Sequence, residues 1–346
     1  EDSIEIKAEF MTLKMRGQYN LTDIVPALQS TINQYFNTTP GTLVSEPYEP
    51  QQIEFTLYVT RSPLVEELYP NITEMEDVAL AGNFNSTIGE LKVQGEIPRM
   101  KYKDFLFNEL ALDIHTENEA LQYAVTLDQV ASPKFEIINT SLTGKAKDDL
   151  LDVKLLVQDA DEKDQYRIAG EMKSVIHVFE YHLLPDGLLL NYQPWTVPPN
   201  NSIQFGDAGL MISNFDIAHG TQSLSVNSTP QQPDAPIDIK FSDFKIETVT
   251  YMVTKDSLFA GGVVNGTATI RDMQTNLVFT SVLTIRDFSL QGDTVGNVAL
   301  KVNNEKTDTY AGDIRVTGYG NEVNITGYYY DAGDKSNYNL NVDIVK

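Results

Sequence analysis

The chain of 346 residues contains no cysteine, which excludes disulfides, thiolate catalysis and cysteine-bound metals. Histidine is scarce too: the four residues, at positions 115, 177, 182 and 219, lack the spacing of a metal site. His177 and His182 lie five residues apart, which places them on opposite faces of an alternating strand. We therefore predict no metal and no other cofactor.

Positive charge is also limited. Lys plus Arg number 25 against 49 for Asp plus Glu, which gives a formal net charge of −24. Because such a chain repels phosphate backbones, we expect no nucleic-acid partner. The acidic run "QDADEKDQ" places Asp159, Asp161 and Asp164 close together, but it lacks the central glycine and terminal glutamate of a calcium loop. It predicts a solvated turn.

Catalytic motifs are missing as well. The sequence has no Gly-x-Ser-x-Gly elbow, phosphate loop or dinucleotide fingerprint. Carboxylates are so abundant that no pair of them is specific, and we predict that the protein is not an enzyme. The apolar run "HLLPDGLLLNY" is interrupted by Pro185 and Asp186, which predicts no membrane span. Since the chain starts at Glu1 without a methionine, we expect a section of something longer or a mature chain.

Two segments near the N-terminus read as helix. The first, "YNLTDIVPALQSTINQYF", has an apolar stripe at spacings of three and four, formed by Leu21, Ile24, Leu28, Ile32 and Phe36. Its Pro26 is tolerable only close to the start of the helix. The second, "SPLVEELYP", offers Ser62 as N-cap and Pro63 at the first helical position.

Most of the remaining sequence alternates apolar and polar residues between Gly, Asn and Asp, which predicts antiparallel strands. An apolar residue, one spacer and a glycine recur along these segments, and Gly266, Gly292 and Gly318 lie 26 residues apart. Gly144 and Gly170 have the same separation. This spacing is the size of one hairpin and suggests a stack of strands. The fold class predicted is therefore mainly β: an elongated, curled, antiparallel or solenoid-like sheet.

The recurring glycines share a strand face with aliphatic residues, because residues two apart point the same way. Val93, Gly95 and Ile97 form one such face, opposite Gln94 and Glu96. Two interpretations remain open. The glycines either let a neighbouring element pack closely, or keep a trough open for an apolar guest.

Proline marks the clearest break in the pattern, in "LLPDGLLLNYQPWTVPPNN". We read it as an irregular crossing between two strand-rich halves, with Trp195 anchoring it to the core. The predicted organisation is a helix-bearing segment at 1–75, a first strand-repeat section at 76–184 and a second at 185–346, continuous with the first.

Three segments carry a family resemblance: "NYQPWTVPPNNSIQFGDAGLMISNFDI", "FSLQGDTVGNVALKVNN" and "VTGYGNEVNITGYYY…YNLNVDIV". They resemble the TamB-like proteins of Bacteroidetes, relatives of the AsmA-like family. The resemblance is best over residues 185–345 and implies a middle or C-terminal section of a longer, membrane-anchored periplasmic protein. It further implies a taco-shaped β groove with an apolar interior, which takes part in phospholipid transport or in protein assembly at the outer membrane.

The resemblance names the apolar guest as a phospholipid or another acyl-chain ligand, and it implies an outer-membrane barrel as a possible partner. Two alternatives stay open: a non-transporting β-rich scaffold or adhesin-like protein, and a carbohydrate-binding β-solenoid. The residues expected to line the groove are Val93, Gly95, Leu142, Gly144, Ile168, Gly170, Val264, Gly266, Ala268, Ile270, Val316, Gly318, Ile325 and Gly327.

Overall fold

A computed structural model describes residues 2–39, 47–133, 135–251, 260–274, 276–318, 320–331 and 336–345. The fold is mainly β, as predicted, with large antiparallel sheets. The chain divides into two compact units, unit 1 (Glu1–Tyr181) and unit 2 (His182–Lys346). The predicted 1–75 segment belongs to unit 1, and the predicted boundary at 184/185 falls within a strand.

Both predicted helices are present. Helix α1 (Ile24–Asn33) begins two residues before Pro26, and α2 (Pro63–Leu68) starts with its proline while the Ser62 hydroxyl accepts a hydrogen bond from the Val65 N–H. A third, four-residue helix is α3 (Glu247–Thr250). Leu21 was expected in the apolar stripe of α1, but it precedes the helix and is exposed.

Unit 1 consists of antiparallel strands that pair mostly with their sequence neighbours. Strand β4 lies beside β6, and the others follow the order β1-β2-β3-β5-β6-β7-β8-β9-β10-β11. The bounds are β1 Asp2–Ala8, β2 Met11–Gln18, β3 Gln52–Val59, β4 Ile72–Met75, β5 Val78–Asn85, β6 Glu90–Tyr102, β7 Phe105–Glu117, β8 Ala120–Ser132, β9 Phe135–Lys147, β10 Leu150–Gln158 and β11 Asp164–Val175.

The repeat in unit 1 is 30 residues, not 26. Strands β6, β8 and β10 begin at Glu90, Ala120 and Leu150, because 13-residue strands alternate with two-residue turns. At the turn Asn118–Glu119 both central residues have positive φ, the geometry of a type I′ hairpin turn. The 26-residue spacing of glycines does not mark a structural repeat, because the glycines occupy different positions: Gly266 lies inside a strand, whereas Gly292 lies in a turn.

Helix α1 packs on one face of the unit 1 sheet, and the hydrophobic core of unit 1 lies between the helix and the strands. Ala27 and Phe36 of the helix segment are buried with Ile53, Phe84 and Leu91 of the strands. Phe36 also stacks on Phe179, with the ring centroids 5.8 Å apart. Because the helix buries its own apolar stripe, this contact stabilises both elements.

Strand β12 (Val178–Leu190) carries the boundary between the two units. The strands after it are β13 Gln193–Trp195, β14 Ser202–Gly206, β15 Gly209–Ser213, β16 Phe215–His219, β17 Gln222–Ser228, β18 Ile237–Lys245, β19 Ala260–Arg271, β20 Val278–Leu290, β21 Asp293–Lys306, β22 Thr309–Gly318, β23 Asn321–Tyr330 and β24 Asn337–Ile344. Strands β16 to β24 form one nine-stranded sheet in sequence order.

The Pro-rich stretch is more regular than predicted, since Pro185 lies within β12 and Pro194 within β13. Trp195 does anchor this stretch to the core, as expected. Its side chain is 2% exposed, and its ring centroid lies 5.7 Å from that of Phe244. An aromatic ring buried this deeply offers no exposed platform for a ligand.

A buried amide fixes the loop that follows Trp195. The Asn201 side chain is fully buried; its Oδ1 accepts from the Leu183 N–H at 2.8 Å and its Nδ2 donates to the Leu183 carbonyl at 2.7 Å. The same Nδ2 donates to the Pro198 carbonyl at 2.7 Å. The side chain thus replaces a strand partner for Leu183.

We expect Asn201→Ala to lower the free energy of unfolding by about 2–4 kcal/mol, because it leaves buried backbone groups of Leu183 and Pro198 without partners. Chemical denaturation followed by circular dichroism measures the loss. The neighbouring Asn200→Ala is the control, since the side chain it removes is exposed. Equal stability of the two variants would contradict this role of Asn201.

Candidate functional site

The register of unit 1 aligns apolar side chains into a row that crosses nine strands. Residues directly opposite each other in an antiparallel pair share a face of the sheet. We call this set the leucine row: Leu13, Leu57, Leu80, Gly95, Leu112, Val125, Leu142, Leu155 and Ile168. It brings together three of the predicted groove residues, Gly95, Leu142 and Ile168.

A second row lies two residues along each strand, on the same face. It contains Met15, Phe55, Gly82, Val93, Ile114, Tyr123 and Gly144. Val93 and Ile114 pack against the α1 core, and Gly170 lies opposite Val153. Among the described residues, no member of the leucine row belongs to that core. Its side chains are half-buried, apart from Ile168, which is 38% exposed.

The opposite face of unit 1 is polar. One of its rows reads Lys14, Thr56, Ala81, Gln94, Asp113, Ala124, Thr143, Lys154 and Ala169. The Gln94 side chain donates to Asp113 at 2.7 Å, and hydrogen bonds from Gln94 and His115 hold the pKa of the Asp113 carboxyl below its usual value. Charges therefore face away from the leucine row.

Unit 2 repeats the arrangement on its nine-stranded sheet. One row contains Ile217, Leu224, Phe241, Gly266, Leu283, Leu300, Ile314, Ile325 and Val342. The next contains Phe244, Val264, Ile285, Val298, Val316, Val323 and Ile344. Four of the predicted residues, Gly266, Ile325, Val264 and Val316, lie on these two rows.

The other predicted residues of unit 2 lie near these rows. Ala268 and Gly327 lie on a third row, which runs through Ser281, Val302 and Gly312. Ile270 is opposite Phe279, and Gly318 is opposite Asn321 at the end of β22. At the far edge, Leu340 and Val342 of β24 are each 53% exposed.

The expectation that the glycines keep space free for a guest is wrong at Gly95 and Gly144. A Cβ on Gly95 would lie 2.8 Å from a methyl carbon of Leu80, the residue opposite on β5. A Cβ on Gly144 would lie 1.9 Å from the Asp152 carbonyl oxygen and 2.6 Å from the Tyr123 hydroxyl. The Leu80 side chain fills the first position, and the Asp152 backbone carbonyl with the Tyr123 hydroxyl fills the second, which is the close-packing interpretation.

Gly266 serves the backbone. Its φ is +130°, and a Cβ there would lie 2.2 Å from the Val282 carbonyl oxygen. A side chain is therefore excluded by both the conformation and the adjacent strand. The apolar character of the face comes from the aliphatic residues between the glycines.

A backbone irregularity, which we call the kink, lies at one level in β7 and β9 of unit 1, and the sequence interpretation missed it. Glu109 in β7 and Asn139 in β9 have positive φ inside their strands. The spacing of apolar residues changes at this level. Ile114, Leu112 and Leu110 of β7 lie two residues apart, but the next one, Phe107, lies three residues from Leu110. The three-residue spacing between apolar residues is the feature of the sequence that could have revealed the kink. From this spacing we infer that the apolar face continues beyond the kink.

Unit 2 bends by bulges that asparagines hold. The backbone N–H of Asp243 in β18 donates to the Asn265 side chain at 2.9 Å, and that of Asp287 in β20 donates to Asn297 at 3.0 Å. Both aspartates have positive φ, and both lie at breaks in the strand register. Such bulges re-aim a strand without ending its pairing.

Tyrosine hydroxyls on the apolar side of unit 1 stay neutral at physiological pH. Burial raises the pKa of Tyr123, and the Asp152 carboxylate acts in the same direction. The Tyr123 hydroxyl donates to the Asp152 carbonyl at 2.7 Å. Burial also raises the pKa of Tyr181. These groups add no charge to the face.

A cavity of about 750 Å³ lies on the polar face of unit 1, where its lining includes Arg16, Glu54, Asn83, Lys92 and Gln94. This lining is charged and amide-rich; its two aromatic residues, Phe55 and Phe84, belong to rows of the apolar face and present no ring on the polar face for stacking on a sugar. The cavity is separate from the leucine row.

Within the described ranges, no three His, Asp or Glu residues form a group that could hold a metal ion. The Asp159 carboxylate accepts from the backbone N–H groups of Asp161 and Lys163, both at 3.0 Å, so the acidic run forms the predicted turn. None of the helices in the described part of the chain is long and apolar enough to cross a bilayer. Comparison with models of protein families, with curated proteins and with solved structures found no match.

A Cβ would meet different atoms at Gly144 and at Gly95, so the two alanine variants should differ in stability. Gly144→Ala meets a backbone carbonyl and should cost about 1–3 kcal/mol of stability. Gly95→Ala meets the flexible end of Leu80 and should cost less than about 1 kcal/mol. Thermal unfolding of both variants checks the order. A reversed order would show that the packing described here is wrong.

Proposed function

We propose that the chain is a lipid-binding groove section of a TamB/AsmA-like periplasmic protein, which takes part in phospholipid transport or protein assembly at the outer membrane. One observation carries the proposal: the register places aliphatic side chains in continuous rows on one face of each unit, with polar and charged side chains on the other. On this view each face is the wall of a curled groove.

The apolar surface of the leucine row needs a cover that removes it from water. Apolar surface contributes about 25 cal/mol for each Å² removed from water, and soluble monomers rarely expose apolar patches beyond a few hundred Å². The α1 core covers Met15, Phe55, Val93 and Ile114 of the second row, but the leucine row lies outside that core. Acyl chains packed against that row would remove the remaining surface from water.

The mechanism that follows is passive. Hydrocarbon tails contact the leucine row and its counterpart in unit 2, while headgroups stay in water. Because the rows cross the strands, a tail moves from strand to strand without meeting a charged side chain on that face. Direction then comes from a lipid gradient or an energised partner, and an outer-membrane barrel is the partner that the family resemblance suggests.

A non-transporting β scaffold is the second candidate, and the filled glycines favour it. Gly95 and Gly144 are occupied by Leu80 and Tyr123, as expected of a face that only packs. The two functions differ in what co-purifies: a groove retains lipid, whereas a scaffold face carries none.

Lipid extraction from purified protein tests the proposal with a matched pair on β8. Val125 lies on the leucine row, while the next residue, Thr126, is exposed on the opposite face. We expect wild-type protein and Thr126→Asp to release similar amounts of acyl lipid, and Val125→Asp to release several-fold less, because a carboxylate cannot contact hydrocarbon without large cost.

Circular dichroism of the three proteins verifies that both variants fold. Absence of lipid from the wild type, or equal amounts in the two variants, would favour the scaffold.

A further inference from the structure

The two edges at which the unit 1 strands turn are built differently. On one edge α1 ties down the hairpins: the Tyr35 hydroxyl donates to the Gly89 carbonyl at 2.7 Å, and Asp149 N–H donates to the Tyr35 carbonyl at 3.0 Å. Side chains there are buried, with Leu91 5% and Leu121 8% exposed. This edge is closed by packed protein.

The opposite edge is open and amphipathic. We call it the α2 patch: Leu68, Tyr69, Tyr102, Lys103 and Phe105, at the end of α2 and at the β6–β7 turn. Its apolar side chains are exposed, Leu68 by 61%, Tyr69 by 62%, and Tyr102 and Phe105 by 42% each. Backbone hydrogen bonds connect the end of α2 to the β6–β7 turn. The Ile72 N–H donates to the Tyr69 carbonyl, and the Lys103 N–H donates to the Asn71 carbonyl.

The apolar face leads from one edge to the other. Beyond the kink, Met100, Phe107, Val130 and Ile137 form a further apolar row. Tyr102 lies two residues past Met100, on the same side of β6, and pairs with Phe105. Exposure along β6 rises from Leu91 (5%) to Tyr102 (42%). The side chain at the patch end of β6 is therefore more exposed than the one at the α1 end.

The chemistry of the patch fits the interfacial part of a lipid. Tyrosine and phenylalanine side chains place an apolar body beside water, as they do at membrane interfaces. The Lys103 ammonium lies 5.6 Å from the centre of the Tyr102 ring, where it can meet a phosphate. Two exposed carboxylates adjoin the patch in sequence: Glu67 precedes Leu68, and Asp104 follows Lys103. They can bind the amine of a headgroup. Both signs of charge are present, which suits a zwitterionic headgroup.

Resting on the proposed function, we infer that unit 1 holds a zwitterionic phospholipid in one orientation, with its headgroup at the α2 patch and its acyl chains directed toward α1. The lengths agree. From Gly95 to Tyr102 are seven residue steps, about 23 Å at roughly 3.3 Å each. One leaflet of hydrocarbon is about 15 Å, half of a core of about 30 Å.

Two photoreactive lysophosphatidylcholines test the orientation on wild-type protein, one with a diazirine in the headgroup and one with a diazirine at the tail terminus. Labelled residues are mapped by mass spectrometry. We expect the headgroup probe to label residues 68–69 and 102–105, and the tail probe to label the leucine row.

The two probes separate the possible failures. Tail labelling on the leucine row with headgroup labelling at Ile88 or Gly89, beside α1, or spread evenly over both edges, overturns the orientation and leaves the groove. Tail labelling absent from the apolar face overturns the proposed function, and the orientation with it.

A variant pair adds a second readout. Tyr69→Ser combined with Tyr102→Ser removes exposed rings, so folding should be preserved, and it should reduce headgroup labelling at the patch at least fivefold. The control is Tyr58→Ser, which removes a tyrosine that is 53% exposed on the polar face of β3. Equal losses in the two proteins would overturn the role of the patch.

Discussion

The strict alternation of side chains along paired strands is the constraint on which this structure depends. A shift of one residue in any pairing would move that strand's aliphatic side chains from the apolar to the polar face. The observed register keeps Leu112, Val125 and Leu142 side by side while Asp113, Ala124 and Thr143 face the other way. The proposed groove follows from that segregation.

Several local devices maintain the register where strands turn or bend. Two-residue turns at Asn118–Glu119 and Asp148–Asp149, with positive φ at both positions, support the 30-residue hairpin repeat, and Asn265 and Asn297 hold the two bulges of unit 2. At the kink of unit 1 the apolar phase shifts by one residue, so the sequence compensates for the bend. The apolar face is thus preserved through irregularities that would otherwise invert it.

The sequence predicted a mainly β fold with antiparallel strands, both N-terminal helices and the face on which the aliphatic residues lie, because each depends on local periodicity. It did not predict why the glycines are there. What fills the position over Gly144 is Tyr123 of the next strand and the Asp152 carbonyl, and a neighbour across the sheet is invisible to one-dimensional spacing. Likewise, Pro185 was read as a break, but only pairing decides whether a strand tolerates a proline.

The absence of cysteine makes the central claim, that an acyl chain contacts one face only, directly measurable. Single cysteines introduced at residues 122 to 127 of β8, each carrying a polarity-sensitive fluorophore, would report the environment of both faces in turn. On addition of lysophosphatidylcholine, we predict a shift to an apolar environment at positions 123, 125 and 127, with no change at 122, 124 and 126. A uniform response, or none at any position, would contradict the account.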